Sequence, residues 1–423
     1  MMDQNQNLLE RVNPVFNTAK MTVFQLASSG VKEAALVAEK LNLSFEETQN
    51  SASVTVAPEQ MTANTILVET RWRTCAAIAE KSGCKTLVDL PCGYTPRAKA
   101  FSQKGIAYYG MDLPAAIAEA EPAILSLIDE DKRSSVHFCG VDATNGESLK
   151  AALKGAEGPV CITTEGLLMY FTDSEVGALC DNIRMILKER GGCWLTADPE
   201  AGMQYILTMQ PIAGDRFMEI MMKSKTTAED KSDVNVGGNS LNVIPMGDVA
   251  LNMKNAMMFL ARHGLKAERL IIAEHMPGIN SLGKVTSEQA QAIRQNMQKC
   301  AYWKITAMDT DVTVDTADLK AEDFDMQASV TSDVLNLSLK GRVDTLTAPK
   351  MLALFERVIA EHELSSVEID CSELSYISSA GLRVLLIMKK ECKSGVKLSG
   401  INQVVREILE QTGFDSILDI PEK

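Results

Sequence analysis

A glycine and a carboxylate follow two short apolar runs of this sequence, and their types suit a nucleoside ligand. Gly93 comes just after Thr86–Leu90, and Asp112 comes directly after Tyr108–Met111. A tight glycine turn at a strand end lets the backbone approach a ligand. A carboxylate about 20 residues further on can accept hydrogen bonds from ribose hydroxyls. The pair therefore predicts part of a nucleotide-binding site.

Two further carboxylates occupy equivalent positions. Asp142 follows the apolar run Val136–Cys139 and could face an adenine amine, and Glu165 follows Val160–Thr163. Strand ends in α/β domains often carry Asp or Gly for capping alone, which would explain any one of these residues. The glycine and the three carboxylates together favour a binding site.

The elements that must position these residues alternate between strand and helix. A helix containing Arg71–Glu80 leads into the first of five predicted strands: Thr86–Leu90, Tyr108–Met111, Val136–Cys139, Val160–Thr163 and Cys193–Ala197. This alternation predicts a parallel, doubly wound sheet covered on both faces. Leu270–Ala273 and Tyr302–Ala307 resemble late strands. We expect an α/β fold with a Rossmann-like sheet, followed by a smaller α/β domain.

Five strings carry a resemblance: TRWRT, LVDLPCGYTPRA, YYGMDLP, VDAT and TEGLLMYF. In this order they resemble the leucine carboxyl methyltransferase family of class I S-adenosylmethionine-dependent enzymes, over roughly residues 60 to 200. By this resemblance Arg71, or its neighbour Arg73, would hold the methionine carboxylate of the cofactor. The resemblance assigns the rest of the cofactor to Gly93 under the methionine portion, Asp112 with Leu113 at the ribose, Asp142 with Ala143 near the adenine, and Glu165 at the methionine amino group.

The sequence departs from that family at the first turn. Pro91 replaces the usual first glycine and removes a backbone donor, and Thr95 replaces an aspartate, although Arg97 is retained. No catalytic dyad is evident, which suits a carboxylate acceptor, because only a hydroxyl or amine needs a general base. Tyr170 either lines the acceptor pocket or belongs to the core.

Two functions follow from the resemblance. The first is an S-adenosylmethionine-dependent O-methyltransferase acting on a carboxyl or hydroxyl group of a small molecule or protein. The alternative is a non-catalytic signalling protein whose large domain only binds the cofactor or is inert.

A serine near the C-terminus precedes a predicted helix. In IDCSELSYISSAGLRVLL, a strand at Val367–Cys371 runs into a turn, and Ser378 and Ser379 stand before the helix. Such a serine caps a helix, or, once phosphorylated, places an anion where free amides and the helix dipole stabilise it.

This string and GRVDTLTAP resemble the STAS domain of anti-sigma factor antagonists over about residues 325 to 420. By that resemblance Ser379 is the residue that a partner kinase phosphorylates, Asp344 lies near it, and an anti-sigma factor-type protein is a partner. Ser378 replaces an aspartate often found there, and Ala380 replaces a hydroxyl residue.

Composition limits the partners and the cellular location that we expect for this protein. The formal net charge of −14 disfavours nucleic acid as a partner, and no apolar stretch is long enough to span a membrane. Ten cysteines without a CxxC pair favour reduced thiols and a cytoplasmic protein, and the four histidines lack metal-ligand spacing. The predicted domains are a helical cap (1–60), a methyltransferase-like domain (61–310), an acidic linker (311–323) and a STAS-like domain (324–423).

Overall fold

The computed structural model describes residues 18–45, 57–222, 238–243, 245, 247–308, 311–331, 333–362, 364–392 and 394–420. The chain forms two compact units, Met1–Ala307 and Met308–Lys423. The helical pattern of Leu8, Leu9, Val12 and Phe16, predicted for the start of the chain, lies outside the described residues.

A seven-stranded sheet organises the large unit. Its strands are β1 (Thr86–Asp89), β2 (Ala107–Asp112), β3 (Val136–Gly140), β4 (Val160–Thr164), β5 (Gly192–Thr196), β6 (Leu265–Ile271) and β7 (Ala301–Ala307). Their order is β3-β2-β1-β4-β5-β7-β6. The first five strands run parallel to one another, whereas β7 is antiparallel to both β5 and β6. The predicted doubly wound α/β fold is confirmed.

One late strand differs from the prediction. The sequence placed it at Leu270–Ala273, but β6 covers Leu265–Ile271 and a short helix occupies Ile272–His275. The strand begins directly after Gly264, whose φ of +65° closes the preceding helix and reverses the chain. The apolar run was therefore the end of the strand and the start of the helix.

The sheet is buried on both faces because adjacent residues of its strands enter different cores. On β1, Leu87 belongs to one core and Val88 to the other, and Tyr108 and Tyr109 on β2 divide in the same way. Side chains alternate across a strand, so this division requires a layer on each face.

The helices of the large unit supply those layers. They are α1 (18–28), α2 (Lys32–Lys40), α3 (Pro58–Lys81), α4 (Arg97–Ser102), α5 (Pro114–Leu125), α6 (Gly146–Ala152), α7 (Asp173–Arg190), α8 (Ala201–Ala213), α9 (217–222), α10 (Val249–Arg262), α11 (Ile272–His275) and α12 (Ser287–Asn296). Helix α7 starts with a capping box between Thr172 and Glu175, and ends at Gly191. No helix among the described residues has the length and apolar character needed to cross a bilayer.

The small unit has a five-stranded sheet in the order β12-β11-β10-β9-β8. Its elements are β8 (Asp311–Val314), β9 (Phe324–Thr331), β10 (Val334–Val343), α13 (Ala348–Glu361), β11 (Ser366–Ile377), α14 (Ser379–Glu391), β12 (Gly395–Ser399) and α15 (Gln403–Thr412). Strand β10 pairs in parallel with β11 and antiparallel with β9.

Two parts of the small unit differ from the sequence interpretation. Residues 311–314 of the segment predicted as a linker form β8, which pairs antiparallel with β9. Strand β11 continues through the expected turn to Ile377, since pairing with β10 carries it past two register shifts. The sequence analysis missed β8 because residues 309–323 are acidic and show little apolar periodicity. An edge strand such as β8 has only one neighbouring strand.

A buried carboxylate ties the antiparallel edge of the large sheet to β5. Glu200 follows β5 and is fully buried. It accepts hydrogen bonds from Arg269 Nε at 2.6 Å, from the Trp303 indole N–H at 2.7 Å and from the Ala301 amide at 2.9 Å. One side chain thus joins β6 and β7 to the turn that carries Asp198.

Replacing Glu200 by Gln should lower the free energy of unfolding by about 3 kcal/mol, because the Arg269 guanidinium loses its charged partner. Urea unfolding of the full chain measures the effect. The control is Glu268→Gln, which removes an exposed carboxylate next to Arg269 on β6 and should change stability by less than about 0.5 kcal/mol. Equal effects of the two substitutions would contradict the assigned role of Glu200.

Candidate functional site

The turn after β1 is held against the end of β2. The Gly93 amide donates to Asp112 Oδ2 at 2.9 Å, and the Leu113 amide donates to Asp112 Oδ1 at 2.8 Å. The Cys92 amide also donates to the Met111 carbonyl at 2.9 Å. The structure therefore brings together three residues that the sequence selected, around one carboxylate.

Burial raises the pKa of the Asp112 carboxyl to about 6, although the Leu113 and Gly93 amides favour the charged form. An ionised carboxylate offers about four acceptor positions, and the two amides use two of them. Asp112 can therefore accept further hydrogen bonds from a ligand when it is ionised.

Two glycines leave open space at strand ends, one after β1 and one after β4. Gly93 has a φ of +51°, and a Cβ built on it would meet only the Ala19 Cβ, at 3.8 Å. Gly166, after β4, has a φ of +72°, and a Cβ there would meet nothing within 4 Å. Both positions favour glycine for conformation, and neither is filled by a neighbouring side chain.

Glu165, at the end of β4, lies between two arginines. Its Oε2 accepts from Arg97 Nη2 at 2.5 Å, and its Oε1 lies 3.7 Å from Arg71 Nε and within hydrogen-bond distance of the Tyr302 hydroxyl. Burial alone would raise the pKa of Glu165, but Arg97 and Arg71 outweigh it and hold that pKa below its ordinary value. Glu165 is therefore ionised at neutral pH.

Asp198, which the sequence analysis missed, completes this cluster. It ion-pairs with Arg71 and accepts three amide hydrogen bonds, from Gly166 at 2.8 Å, Leu167 at 2.8 Å and Leu168 at 3.1 Å. Asp198 follows the fifth parallel strand, so the logic applied to the first four strand ends would have found it.

Tyr302 was also missed, and no motif marks it. It lies on the antiparallel strand β7, and its hydroxyl is 2.8 Å from the Arg71 carbonyl as well as near Glu165. Only the pairing of β7 beside β5 brings this residue to the cluster.

Arg97 joins Glu165 to a second, fully buried carboxylate. Asp89, the last residue of β1, accepts from Arg97 Nη1 at 2.7 Å, from the Thr163 hydroxyl at 2.8 Å and from the Tyr108 hydroxyl at 2.9 Å. Arg97 thus links the ends of β1 and β4. Asp89 is 2% exposed and its carboxylate is bonded to three side chains, an arrangement that suits a structural role.

The alternative Arg73 points elsewhere. Its Nε donates to Glu69 Oε1 at 2.6 Å, and Glu69 also accepts from the Asn280 and Ser281 amides at 3.0 and 2.8 Å. Of the two arginines offered by the sequence, Arg71 is the one that contacts Glu165 and Asp198.

Asp142 and Ala143 lie beyond β3, at the other side of Asp112. Asp142 is exposed and accepts from the Thr144 amide and hydroxyl at 2.9 and 2.7 Å. The Ala143 side chain is buried. The Val141 amide donates to the Asp112 carbonyl at 2.7 Å, which fixes this loop beside the end of β2.

The acceptor-pocket candidate lies close to the cluster. Tyr170 interacts with Thr18 of α1 and with the charge of Asp198, and burial raises the pKa of its hydroxyl. Thr95, which replaces an aspartate, donates its hydroxyl to the Cys92 carbonyl at 3.3 Å and so serves the turn itself.

The described part of the chain contains no group of three or more His, Cys, Asp or Glu side chains that could hold a metal ion. A cavity of about 180 Å³ lined by Cys193, His275 and Lys304 lies outside the cluster. The chemistry available at the strand ends is binding of a ligand with both anionic and cationic groups.

In the small unit the two serines have separate roles. Ser378 is the N-cap of α14, and its Oγ accepts from the Gly381 amide at 3.5 Å. Ser379 is the first helical residue and is exposed. The capping function that the sequence offered as an alternative for this serine belongs to Ser378, which leaves the Ser379 hydroxyl accessible beside free helix-start amides.

Asp344 lies next to that helix start. The Ser378 amide donates to the carbonyl of Val343, the residue before Asp344, at 2.8 Å. The Leu346 and Thr347 amides hold the pKa of Asp344 below its usual range. The loop between β10 and α13 therefore carries an ionised carboxylate close to Ser379.

Comparison with known proteins agrees with both resemblances. Residues 15–184 match the leucine carboxyl methyltransferase family model, and residues 325–423 match the STAS domain. The first match includes part of the segment predicted as a separate cap. The comparison with curated proteins found no match. The chain thus joins a leucine carboxyl methyltransferase-like region to a STAS domain.

Solved structures resemble each unit at low identity. A putative methyltransferase from Thermobifida fusca is 12% identical with a TM-score of 0.38, covering 65% of this chain and 94% of that one. Human N-acetylserotonin methyltransferase in complex with SAM is 12% identical with a TM-score of 0.31, covering 68% and 67%. An anti-sigma factor antagonist from Mycobacterium paratuberculosis is 21% identical with a TM-score of 0.23, covering 25% and 91%. TM-scores this low carry no conclusion about chemistry.

The separation of roles at α14 is testable. Ser378→Ala should lower the free energy of unfolding by about 0.5 to 1 kcal/mol through loss of the cap, whereas Ser379→Ala should leave it nearly unchanged. Chemical denaturation of the full chain, followed by a probe in the small unit, measures both. A larger loss in Ser379→Ala would show that the cap has been assigned to the wrong serine.

Proposed function

We propose that the large unit is an S-adenosylmethionine-dependent O-methyltransferase and that phosphorylation of Ser379 regulates the small unit. The observation that carries the first part is the pairing of Asp112 with the Gly93 turn, beside a cluster in which Arg71 faces Glu165 and Asp198. Methyltransferase-like sequence over residues 15–184 supports the same conclusion.

The residues fit this cofactor. Asp112 retains acceptor positions for ribose hydroxyls, and space above Gly93 and Gly166 allows close approach of a ligand to the backbone. Glu165 would hold an ammonium group and Arg71 a carboxylate, with Asp142 beyond the ribose near the adenine. When bound, the cofactor supplies an activated methyl group, so the protein mainly positions the acceptor and excludes water.

The charged residues of the cluster indicate which kind of methyl acceptor the site would use. Arg97 and Arg71 keep Glu165 ionised, and the carboxylates of Asp198 and Asp89 are each bonded to at least three protein groups, so none of the three is placed as an evident general base. A hydroxyl acceptor needs a base, while a carboxylate is already an oxygen nucleophile at neutral pH. This favours a carboxylate acceptor over a hydroxyl.

The STAS domain supports a regulatory part. A phosphoryl group on Ser379 would add about −1.5 to −2 charge at the first residue of α14, where the helix dipole stabilises anions. The same group would repel the ionised Asp344 nearby. A change of this size at an exposed helix start alters a docking surface, which suits a kinase or an anti-sigma factor-type partner.

The Asp112→Asn substitution tests the cofactor site. Loss of a charged acceptor should weaken S-adenosylmethionine binding about 10- to 100-fold, measured by isothermal calorimetry of the full chain. The exposed Asp129→Asn variant is the control and should bind like wild type. Wild-type protein that binds no cofactor at millimolar concentration would refute the enzyme proposal.

The pH profile gives a second readout of the same residue. The pKa of Asp112 is raised to about 6, so wild-type affinity should fall as pH drops through about 6 and the carboxylate is protonated. The Asp112→Asn variant should lose this inflection. An inflection of the same size in both proteins would assign it to another group.

The switch predicts a single labelled site. A serine kinase from the source cell, supplied with labelled ATP, should phosphorylate the full chain at Ser379, and Ser379→Ala should remove the label. Ser378→Ala is the matched control and should still be labelled. Label that persists in Ser379→Ala would refute the assignment.

A further inference from the structure

Ala19, near the first described residues of α1, lies against the Gly93 turn. Ala19 is the residue whose Cβ is 3.8 Å from the Cβ position of Gly93. Further along the same helix, Val23 and Leu26 are fully buried in the core on one face of the sheet. The helix is therefore anchored in the core at Val23 and Leu26, while the segment around Ala19 forms one side of the space above Gly93.

One carboxylate contacts both α1 and the turn that carries Gly93. Glu119, on α5, accepts from Lys20 Nζ at 2.6 Å through Oε1 and from the Tyr94 hydroxyl at 2.7 Å through Oε2. Lys20 adjoins Ala19, and Tyr94 adjoins Gly93. Glu119 therefore bonds both to Lys20, next to Ala19 on α1, and to Tyr94, next to Gly93 in the turn.

The three groups form a compact polar unit beside an apolar core. Tyr94 is 1% exposed, and the Lys20 ammonium lies 5.3 Å from the centroid of its ring, which permits a cation–π contact. Burial and then the neighbouring Glu119 raise the pKa of the Tyr94 hydroxyl, which stays protonated and donates. The spacing of α1 from the turn is therefore set by charge-assisted hydrogen bonds as well as by packing.

We propose that Glu119 is a positioning residue that fixes the segment of α1 around Ala19 and Lys20 against the Gly93 turn, so that α1 forms a wall of the cofactor cleft. This inference rests on the proposed function for its ligand, S-adenosylmethionine. Glu119 does not contact the reacting atoms; it acts through Tyr94 on the turn and through Lys20 on the helix.

A reciprocal coupling follows. If closing α1 on the turn helps the cofactor to bind, cofactor binding must also stabilise α1 by the same factor. Loss of the Glu119 carboxylate should therefore weaken the cofactor and loosen the helix together. A purely structural role would lower overall stability without changing the affinity for the cofactor.

The experiment compares Glu119→Gln and Lys20→Met with a control, Glu80→Gln. Glu80 pairs with Lys104, and its side chain is 34% exposed, compared with 40% for Glu119. We expect both test variants to raise the dissociation constant for S-adenosylmethionine about three- to tenfold in calorimetry of the full chain, and the control to match wild type. The double variant should be no worse than about the larger single effect, since both remove one interaction.

Hydrogen exchange separates this inference from the proposed function. Without cofactor, peptides covering α1 should exchange about three- to tenfold faster in Glu119→Gln than in wild type or Glu80→Gln. Unchanged exchange of α1 would overturn the inference. Wild type that binds no cofactor would refute the proposed function alone, because the exchange result still decides whether Glu119 holds α1.

Discussion

The buried ion pair of Arg97 with Asp89 and Glu165 is the interaction on which the large unit depends. A guanidinium removed from water is costly unless carboxylates surround it, and Arg97 is held by two, each at the end of a different parallel strand. The network fixes the ends of β1 and β4 relative to each other. It then extends through Glu165 to Arg71 and through Arg71 to Asp198.

The same network explains which residues are left for a ligand. Asp89 is consumed by internal partners, whereas Asp112 is bonded only to backbone amides and keeps acceptor capacity. Arg71 and Glu165 are both partly accessible, with side chains 13% and 16% exposed. The proposed ligand would therefore meet a prearranged set of opposite charges at the carboxyl ends of the strands.

Much of this arrangement could be predicted from sequence, and the reasons for the rest are physical. Gly93, Asp112 and Glu165 follow strands whose apolar runs are visible locally, so their meeting at one sheet edge follows from parallel pairing. Tyr302 could not be found in this way, because its position depends on how β7 reverses beside β5. The strand β8 was hidden because an edge strand needs little apolar periodicity. In the small unit, two adjacent residues are both serine, so sequence alone does not show which one caps the helix. The helix geometry identifies Ser378 as the cap and leaves Ser379 exposed.

The loop after β4 is fixed through its backbone. Asp198 accepts the amides of three consecutive residues, from Gly166 to Leu168, and the positive φ of Gly166 sets the direction of the chain. Amide recognition is indifferent to side-chain identity, so Leu167 can be exchanged without breaking the tie. The loop consequently separates two tasks: its main chain preserves the charged cluster and Leu168 fills the core, while the partly buried Leu167 is the side chain that can vary. If the proposed function holds, substitutions at Leu167 would change the surface beside the cluster and leave the three amide bonds to Asp198 in place.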